Sequence, residues 1–278
     1  MKLQIAPLAA TVLLAWAGSA FAGVILTTKG SDAKSNEEST IYLEGNKMRV
    51  DSNRDPEHKT VFIYDGDKQM LITVDPQKKT FAEMTPEKIK ALTSDAQKKM
   101  QEGMAKMTPE QRKQMEAMMG QLNPEQRKRM QDMMGGRTPS QDSSPETAQA
   151  PAKWERTGSE QTVAGYSCQG FKEIKDGKTK ATGCYIPWSG SAITKADIAP
   201  LLKIQEFVEK AGWGGVARQR GLDELRNAPG FPGVWEHIGE DGQGHDKSTL
   251  TSIKRTSISA EKFQAPAGFT KAELPSGM

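Results

Sequence analysis

The sequence has few of the features that mark an enzyme, a nucleic-acid-binding protein or an integral membrane protein. Its 278 residues include two cysteines and three histidines, and no catalytic or metal-binding motif is built on them. The 38 Lys and Arg residues nearly balance 35 Asp and Glu residues, whereas nucleic-acid binding requires concentrated positive charge. Beyond the N-terminal apolar run, no segment approaches the roughly 20 apolar residues of a membrane-spanning helix. We therefore expect no enzymatic activity, no cofactor, no nucleic-acid partner and no transmembrane segment.

The first 22 residues have the pattern of a cleaved export signal. Lys2 precedes an apolar run over 5–16, and small residues then lead to Ala20-Phe21-Ala22, an A-x-A cleavage site. The residue after the predicted cut is Gly23, so the cysteine that a bacterial lipid anchor would modify is absent. The pattern predicts a soluble periplasmic protein, not lipid-anchored, whose mature chain begins at Gly23.

Residues 23–84 have the pattern of an antiparallel meander. Short β-branched and aromatic runs alternate with turn-forming sequences such as Gly45-Asn46, Asp65-Gly66-Asp67 and Asp75-Pro76-Gln77. The predicted strands are 24–28, 40–44, 47–51, 61–64, 70–74 and 80–84.

Residues 85–135 are predicted to form a Met-rich helical insert, because Met, Gln, Glu and Lys favour helix and β-branched residues almost vanish there. The segment 107–120 recurs as 122–135, and each copy has a capping residue, a following proline and a final glycine. A degenerate third copy begins at Met84. The first helix carries Ile89, Leu92, Ala96 and Met100 along one face. Residues 136–152, rich in Ser, Pro, Gln and Ala, are predicted to be a flexible linker.

Strand patterns return in residues 153–278. The predicted strands are 154–157, 161–163, 234–238 and 250–258, together with a hairpin that contains both cysteines. A helix is predicted around 201–208, where an apolar face precedes Gly212. We expect this C-terminal β segment to complete the same sheet as residues 23–84. The predicted fold class is α+β: a curved, half-barrel-like antiparallel sheet with a Met-rich helical insertion and a second covering helix.

The two cysteines are predicted to form a structural disulfide. An oxidising compartment lets Cys168 and Cys184 pair, and a three-residue loop over 175–177 suits a hairpin between them. If Ile174 pairs with Lys178, Cys168 lies directly opposite Cys184. The alternative is a redox-active pair, but the spacing is not C-x-x-C.

The insert also contains the candidate interaction residues. Nine of the fourteen methionines lie between Met100 and Met134, and spacings of three and four place each cluster on one helix face. Three interpretations remain open: apolar packing against the sheet, an adaptable surface for client polypeptides, and Cu(I) binding by thioethers. The candidate residues are Met115, Met118, Met119, Met130, Met133 and Met134.

Four stretches resemble an exported bacterial family known as domain of unknown function 4412. They are 42–51, 75–81, 154–168 and 263–269, and they lie in both β segments and leave the insert unmatched. These β segments are similar to the outer-membrane lipoprotein carriers, whose half-open barrel holds an acyl chain against a helix. The resemblance implies a carrier-like fold with an apolar cavity.

The insert resembles a second group, the periplasmic stress chaperones with an L-T-x-x-Q repeat. Here the matching sequences are 107–111, which has Met in place of Leu, and 122–126, which has Asn in place of Thr. The leading functional hypothesis is a periplasmic, non-catalytic binding or carrier-like protein for an apolar ligand, either lipid-like or polypeptide. The alternative is an envelope stress chaperone or Cu(I)-binding protein that acts through the Met-rich helices.

Overall fold

Strands make up most of the regular structure. The computed structural model describes residues 23–31, 36–53, 59–106, 108, 110, 152–188, 192–211, 222–239 and 241–273. The first elements are β1 (Gly23–Ser31), β2 (Asn36–Glu44), β3 (Lys47–Asn53), β4 (Lys59–Asp65), β5 (Met70–Asp75), β6 (Thr80–Met84) and helix α1 (Pro86–Ala105). The later strands are β7 (Lys153–Val163), β8 (Tyr166–Lys175), β9 (Lys178–Pro187), β10 (Gly230–Ile238), β11 (Gly244–Thr256) and β12 (Thr270–Lys271). The later helices are α2 (Ala199–Lys210), α3 (Leu222–Asn227) and a 3₁₀ turn at Ala260–Phe263.

The twelve described strands form one sheet in the order β12-β6-β5-β4-β3-β2-β1-β11-β10-β9-β8-β7. Two antiparallel meanders, β1 to β6 and β7 to β11, meet where β1 pairs with β11. Gly23 pairs with Thr256, and Ser31 pairs with Lys247. At the far edge, β12 pairs with β6 in the parallel direction. The two β segments therefore share one sheet.

The predicted fold class is wrong in two respects, the share of helix and the type of sheet. The protein consists mostly of one large mixed sheet with few helices, and this sheet is not closed into a barrel. It is mixed because the C-terminal tail returns across the sheet and places Thr270 and Lys271 alongside Thr80 and Phe81. The expectation of an α+β, half-barrel-like antiparallel sheet is therefore replaced by a mainly β architecture. The predicted export signal, most of the Met-rich insert and nearly all of the predicted linker lie outside the described residues.

Helix α1 begins where the capping pattern places it. Pro86 occupies the first helical position, where a missing N–H leaves no intrahelical bond unmade. The backbone N–H of Lys88 donates to Thr85 Oγ1 at 3.3 Å, as expected for a capping residue. Ile89 is almost fully buried and packs into the core beneath α1. The first turn of this helix is therefore anchored in the core by Ile89.

Two apolar cores lie on opposite faces of the N-terminal half of the sheet. Because side chains alternate along a strand, Val24 and Leu26 of β1 belong to one core and Ile25 packs against the other. The first core lies beneath α1 and α2. The second core is covered by the tail after β11, which contributes the buried side chains of Ile258 and Phe263.

The predicted disulfide is present between β8 and β9. Cys168 and Cys184 are bonded, with their Cα atoms 5.3 Å apart, and both are buried in the first core. The residue directly opposite Cys184 is Gly170 rather than Cys168. The disulfide therefore joins diagonal neighbours on one side of the hairpin, and the predicted register, with the cysteines directly opposite, is wrong.

The register differs because the hairpin loop is shorter than predicted. Lys175 pairs with Lys178, which leaves the two-residue loop Asp176-Gly177. Both loop residues have positive φ, 53° and 72°, as a type I′ turn requires. A further irregularity between Glu173 and Ile174 shifts the pairing by one more residue.

Helix α2 is anchored to the sheet by a partly buried ion pair at its N-terminal side. Arg255 of β11 donates two hydrogen bonds to the Asp197 carboxylate, at 2.6 and 3.2 Å. Thr194 donates to the same carboxylate through its backbone N–H and its hydroxyl, at 2.7 and 2.8 Å. Burial raises the pKa of Asp197, but the hydrogen bonds from Arg255 and Thr194 outweigh burial and hold that pKa below its ordinary value.

This lowered pKa predicts a loss of stability in acid. A carboxyl with a lower pKa in the folded state stabilises the fold above its unfolded pKa, and that contribution disappears as the pH falls through the folded pKa. We expect Asp197→Asn to lower the urea midpoint at about pH 7. Well below about pH 4, where wild-type Asp197 is protonated, the difference should largely vanish.

The matched control is Asp176→Asn, which removes the same charge at the exposed hairpin loop. Urea unfolding of both variants at the two pH values checks the prediction. If Asp197→Asn lowers the urea midpoint equally at both pH values, the charge of Asp197 does not contribute to stability.

Candidate functional site

The first core contains a row of apolar side chains that runs across strands β2 to β6. Neighbouring strands pair these residues directly opposite one another, and each is at most 8% exposed. We call this set the covered row: Leu43, Met48, Tyr64, Leu71 and Met84.

A second row lies two residues further along each strand, on the same face. Ile41 of β2 pairs with Val50 of β3, Val50 with Phe62 of β4, and Phe62 with Thr73 of β5. Ile41, Val50 and Thr73 are half-buried, and Phe62 is 39% exposed. In the described part of the chain, Phe62 is the one large apolar side chain that is classed as exposed. We call these four residues the open row; at strand spacings of about 4.8 Å they extend roughly 14 Å across the sheet.

A third row beyond the open row is polar. Ser39 pairs with Ser52 and Ser52 pairs with Thr60, so hydroxyl groups succeed the apolar side chains on these strands. The Glu37 carboxylate accepts hydrogen bonds from the hydroxyls of Ser39, at 3.4 Å, and Ser52. The open row is therefore a mainly apolar strip, with one hydroxyl at Thr73, between a buried core and a hydroxyl-bearing margin.

The edge of helix α2 separates the covered row from the open row. The ring of Phe207 meets Tyr64 edge to face, with centroids 5.6 Å apart, and the Tyr64 hydroxyl donates to the carbonyl oxygen of Lys203 at 3.3 Å. Burial raises the pKa of Tyr64, and a hydrogen bond from Gln69 partly opposes this rise. Two residues earlier on β4, Phe62 is outside this cover. Phe62 is exposed because α2 covers the other end of β4, beside the turns that join β2 to β3 and β4 to β5.

The polar contacts of α2 explain why it lies at that end. The Lys203 ammonium donates to Asn46 Oδ1 at 2.6 Å, and Lys210 reaches Gln69 Oε1 at 3.5 Å. Asn46 and Gln69 belong to the turns that follow β2 and β4. The middle and the C-terminal end of α2 are therefore tied to turns at the end of the sheet away from the open row.

This arrangement suits binding of apolar groups. Binding is favoured when a ligand removes the apolar side chains beside the core from water. The hydroxyl margin can hydrogen-bond polar parts of the same ligand. Among the described residues, no group of three or more His, Cys, Asp or Glu side chains is placed to hold a metal ion. No helix in the described ranges is long and apolar enough to cross a membrane.

The predicted site residues lie elsewhere. Cys168 and Cys184 form the disulfide in the C-terminal half of the core. The candidate methionines lie outside the described residues, so the packing, client and Cu(I) interpretations stay predictions. They are Met115, Met118, Met119, Met130, Met133 and Met134.

The residues of the open row were not singled out from the sequence. The available signal was the pair of apolar residues at alternate positions in Ile41/Leu43, Met48/Val50 and Phe62/Tyr64, which predicts one apolar face of the sheet. That signal does not distinguish a residue beneath a helix from one beside it. The distinction depends on where α2 lies.

The fold and the site define a large open-faced β protein whose apolar surface is only partly covered by helices. The chain belongs to the family described as Domain of unknown function (DUF4412), whose model matches residues 84–269. The family prediction is confirmed. The match includes the insert, which the resembling stretches left out, and it begins at the last residue of β6, after the stretches 42–51 and 75–81.

Several solved structures are similar to this chain at low sequence identity. An uncharacterized conserved protein from Thermus thermophilus has a TM-score of 0.43 and 7% identity, over 91% of this chain and 90% of that one. A structure of MucB has a TM-score of 0.39 and 9% identity, over 90% and 60%. The MucA/MucB complex of Pseudomonas aeruginosa has a TM-score of 0.39 and 11% identity, over 92% and 59%. The present chain thus spans about three fifths of these MucB chains. No curated protein matches the sequence.

Proposed function

We propose that this protein is an exported, non-catalytic binding protein that holds an apolar ligand, lipid-like or polypeptide, on the open row. The observation that carries the proposal is the exposure of Phe62 beside Ile41 and Val50, on a sheet face whose neighbouring row is buried. The export signal predicted over residues 1–22 supports a periplasmic location. The proposal needs no closed barrel, because the ligand lies along an open strip.

The exposed fraction of Phe62 sets how much binding free energy a ligand can gain by covering this side chain. Burying a whole Phe side chain is worth about 1.5–3 kcal/mol, and 39% of this one remains exposed. A ligand that covers it therefore gains at most about 1 kcal/mol from this residue. That gain corresponds to roughly fivefold in Kd.

We expect Phe62→Gln to weaken binding of the fluorescent apolar probe N-phenyl-1-naphthylamine by up to about fivefold. Val50→Gln should act in the same direction, since its side chain lies in the same row. Titrating the probe into each purified variant gives the Kd values. Thr162→Gln on β7 is the control, because it introduces the same amide at an exposed strand position outside the open row and its hydroxyl margin, and it should leave the Kd unchanged.

Equal probe affinity in Phe62→Gln, Val50→Gln and the wild type would refute binding at the open row. The ligand itself can be sought by mass spectrometry of organic and peptide extracts of protein purified from the periplasm. A lipid or a peptide recovered from the wild type and depleted in Phe62→Gln would identify the ligand class. Recovery of neither from the wild type would count against the proposal.

A further inference from the structure

Strand β7 forms one edge of the twelve-stranded sheet. It pairs with β8 on one side, and no strand of the described chain lies on its other side. Its residues are exposed except Trp154, which is half-buried, and Val163, which is buried. Alternate backbone N–H and C=O groups of such an edge point outward and can pair with another strand.

Strand β7 pairs one-to-one with β8 in two regular stretches. Residues 160–163 pair with 166–169, and residues 153–156 pair with 171–174. The pairing then breaks between Arg156 and Glu160, where Gly158 has φ of +78°. Such a bulge bends the strand and protects an edge from pairing. The segment 153–156 has no such protection.

The segment 153–156 carries opposite charges at alternate positions. The Lys153 ammonium lies 2.9 Å from the Glu155 carboxylate, and both side chains are largely exposed. Trp154 lies between them in sequence and points to the other face, where its ring meets Tyr185 edge to face at 4.9 Å. The charge pattern around Trp154 is therefore self-complementary under a two-fold rotation.

We propose that β7 is a self-association edge, at which residues 152–156 pair antiparallel with the same segment of a second copy about a two-fold axis at Trp154. In this register Lys153 of each copy lies opposite Glu155 of the other. The two Trp154 residues lie directly opposite each other. Cross-strand ion pairs and aromatic pairs of this kind stabilise antiparallel strands, and the two-fold axis makes the interface closed.

The charge pattern favours a second copy over an unrelated extended polypeptide. A generic edge-binding peptide has no requirement for alternating charges, whereas in a two-fold pair Lys153 and Glu155 of both copies form two cross-strand ion pairs. The opposite edge of the sheet offers no equivalent, since β12 has two residues and pairs with β6 in parallel. The inference is independent of the open row, which lies on strands β2 to β5.

The test is sedimentation equilibrium of the full mature chain up to about 100 µM, a range that detects weak dimers. We expect a reversible wild-type dimer. Glu155→Lys places two lysines opposite each other at both 153/155 positions of the dimer and should raise the dimer Kd about tenfold. The exchanged double variant, Lys153→Glu with Glu155→Lys, should restore the wild-type Kd.

Glu160→Lys is the matched control, because it makes the same charge change on the same strand beyond the bulge and should leave the Kd unchanged. Circular dichroism of each variant verifies the fold. A wild type that stays monomeric over the whole range would overturn the proposal. So would a dimer that Glu155→Lys and Glu160→Lys weaken equally, or one that the exchanged pair fails to restore.

Discussion

Replacing both Cys168 and Cys184 by alanine is expected to lower the free energy of unfolding by about 3 kcal/mol. The two residues are 16 apart in sequence, and a crosslink that closes a loop of this length restricts the unfolded chain by about 3 kcal/mol in the chain-entropy model. Both sulfur atoms also lie in the first core, so their removal leaves less buried apolar surface. Urea unfolding monitored by tryptophan fluorescence measures the difference.

Reduced wild-type protein provides the control for the disulfide. It retains both side chains and loses only the crosslink, so it should unfold at a urea concentration between those of the oxidised wild type and the double alanine variant. If oxidised and reduced wild type unfold at the same urea concentration, the crosslink contributes nothing to stability. The hairpin would then be held by its strand pairing and by the core alone.

Phe207→Ala is expected to lower the free energy of unfolding by about 3–5 kcal/mol, the range for truncating a buried aromatic residue. Phe207 is fully buried on the sheet-facing side of α2 and packs against Tyr64. Its loss leaves a cavity between the helix and the covered row, which the helix cannot fill without leaving its contacts with Asn46 and Gln69. Thermal and urea unfolding of the purified variant give the magnitude.

The matched control is Phe62→Ala, which makes the same chemical change in the open row. Because Phe62 is 39% exposed, this variant should lose far less stability than Phe207→Ala. Equal losses for the two variants would contradict the distinction between the covered and open rows. A small loss for Phe207→Ala alone would show that α2 contributes little to the first core.

The disulfide and Phe207 differ in how they affect the open row. The disulfide stabilises the C-terminal hairpin, away from the strands of the open row. Phe207 sets the boundary of the apolar strip, because it holds α2 over Tyr64 and leaves Phe62 beside the helix. We therefore expect the disulfide variant to keep its affinity for the apolar probe.

Local sequence patterns placed most strands within a few residues. The predicted strand 80–84 has the bounds of β6, and 70–74 falls one residue short of β5. These strands are bounded by turn sequences with strong local preferences, such as Asp75-Pro76-Gln77, where Asp75 Oδ1 accepts hydrogen bonds from the backbone N–H groups of residues 77 and 78. Where a turn fixes its own geometry, the sequence identifies it.

Register was harder to predict because it depends on single-residue shifts. The loop of the cysteine hairpin has two residues instead of three, and one irregularity follows it. Each changes the pairing by one position, which is enough to move Gly170 opposite Cys184. The apolar pattern does not reveal the two shifts, because together they leave both cysteines on the same face of the hairpin, as in the predicted register.

The sequence by itself determined that two sets of strands alternate apolar and polar residues, that a hairpin carries both cysteines, and that a helix begins at Pro86 after Thr85. Each follows from interactions between residues close together in the chain. Only the tertiary structure decided that the tail adds β12 in parallel, that the sheet stays open, and that α2 covers Tyr64 and leaves Phe62 exposed. These features depend on contacts between residues far apart in sequence, such as Arg255 with Asp197 and Lys203 with Asn46, and local preference carries no information about where such partners meet.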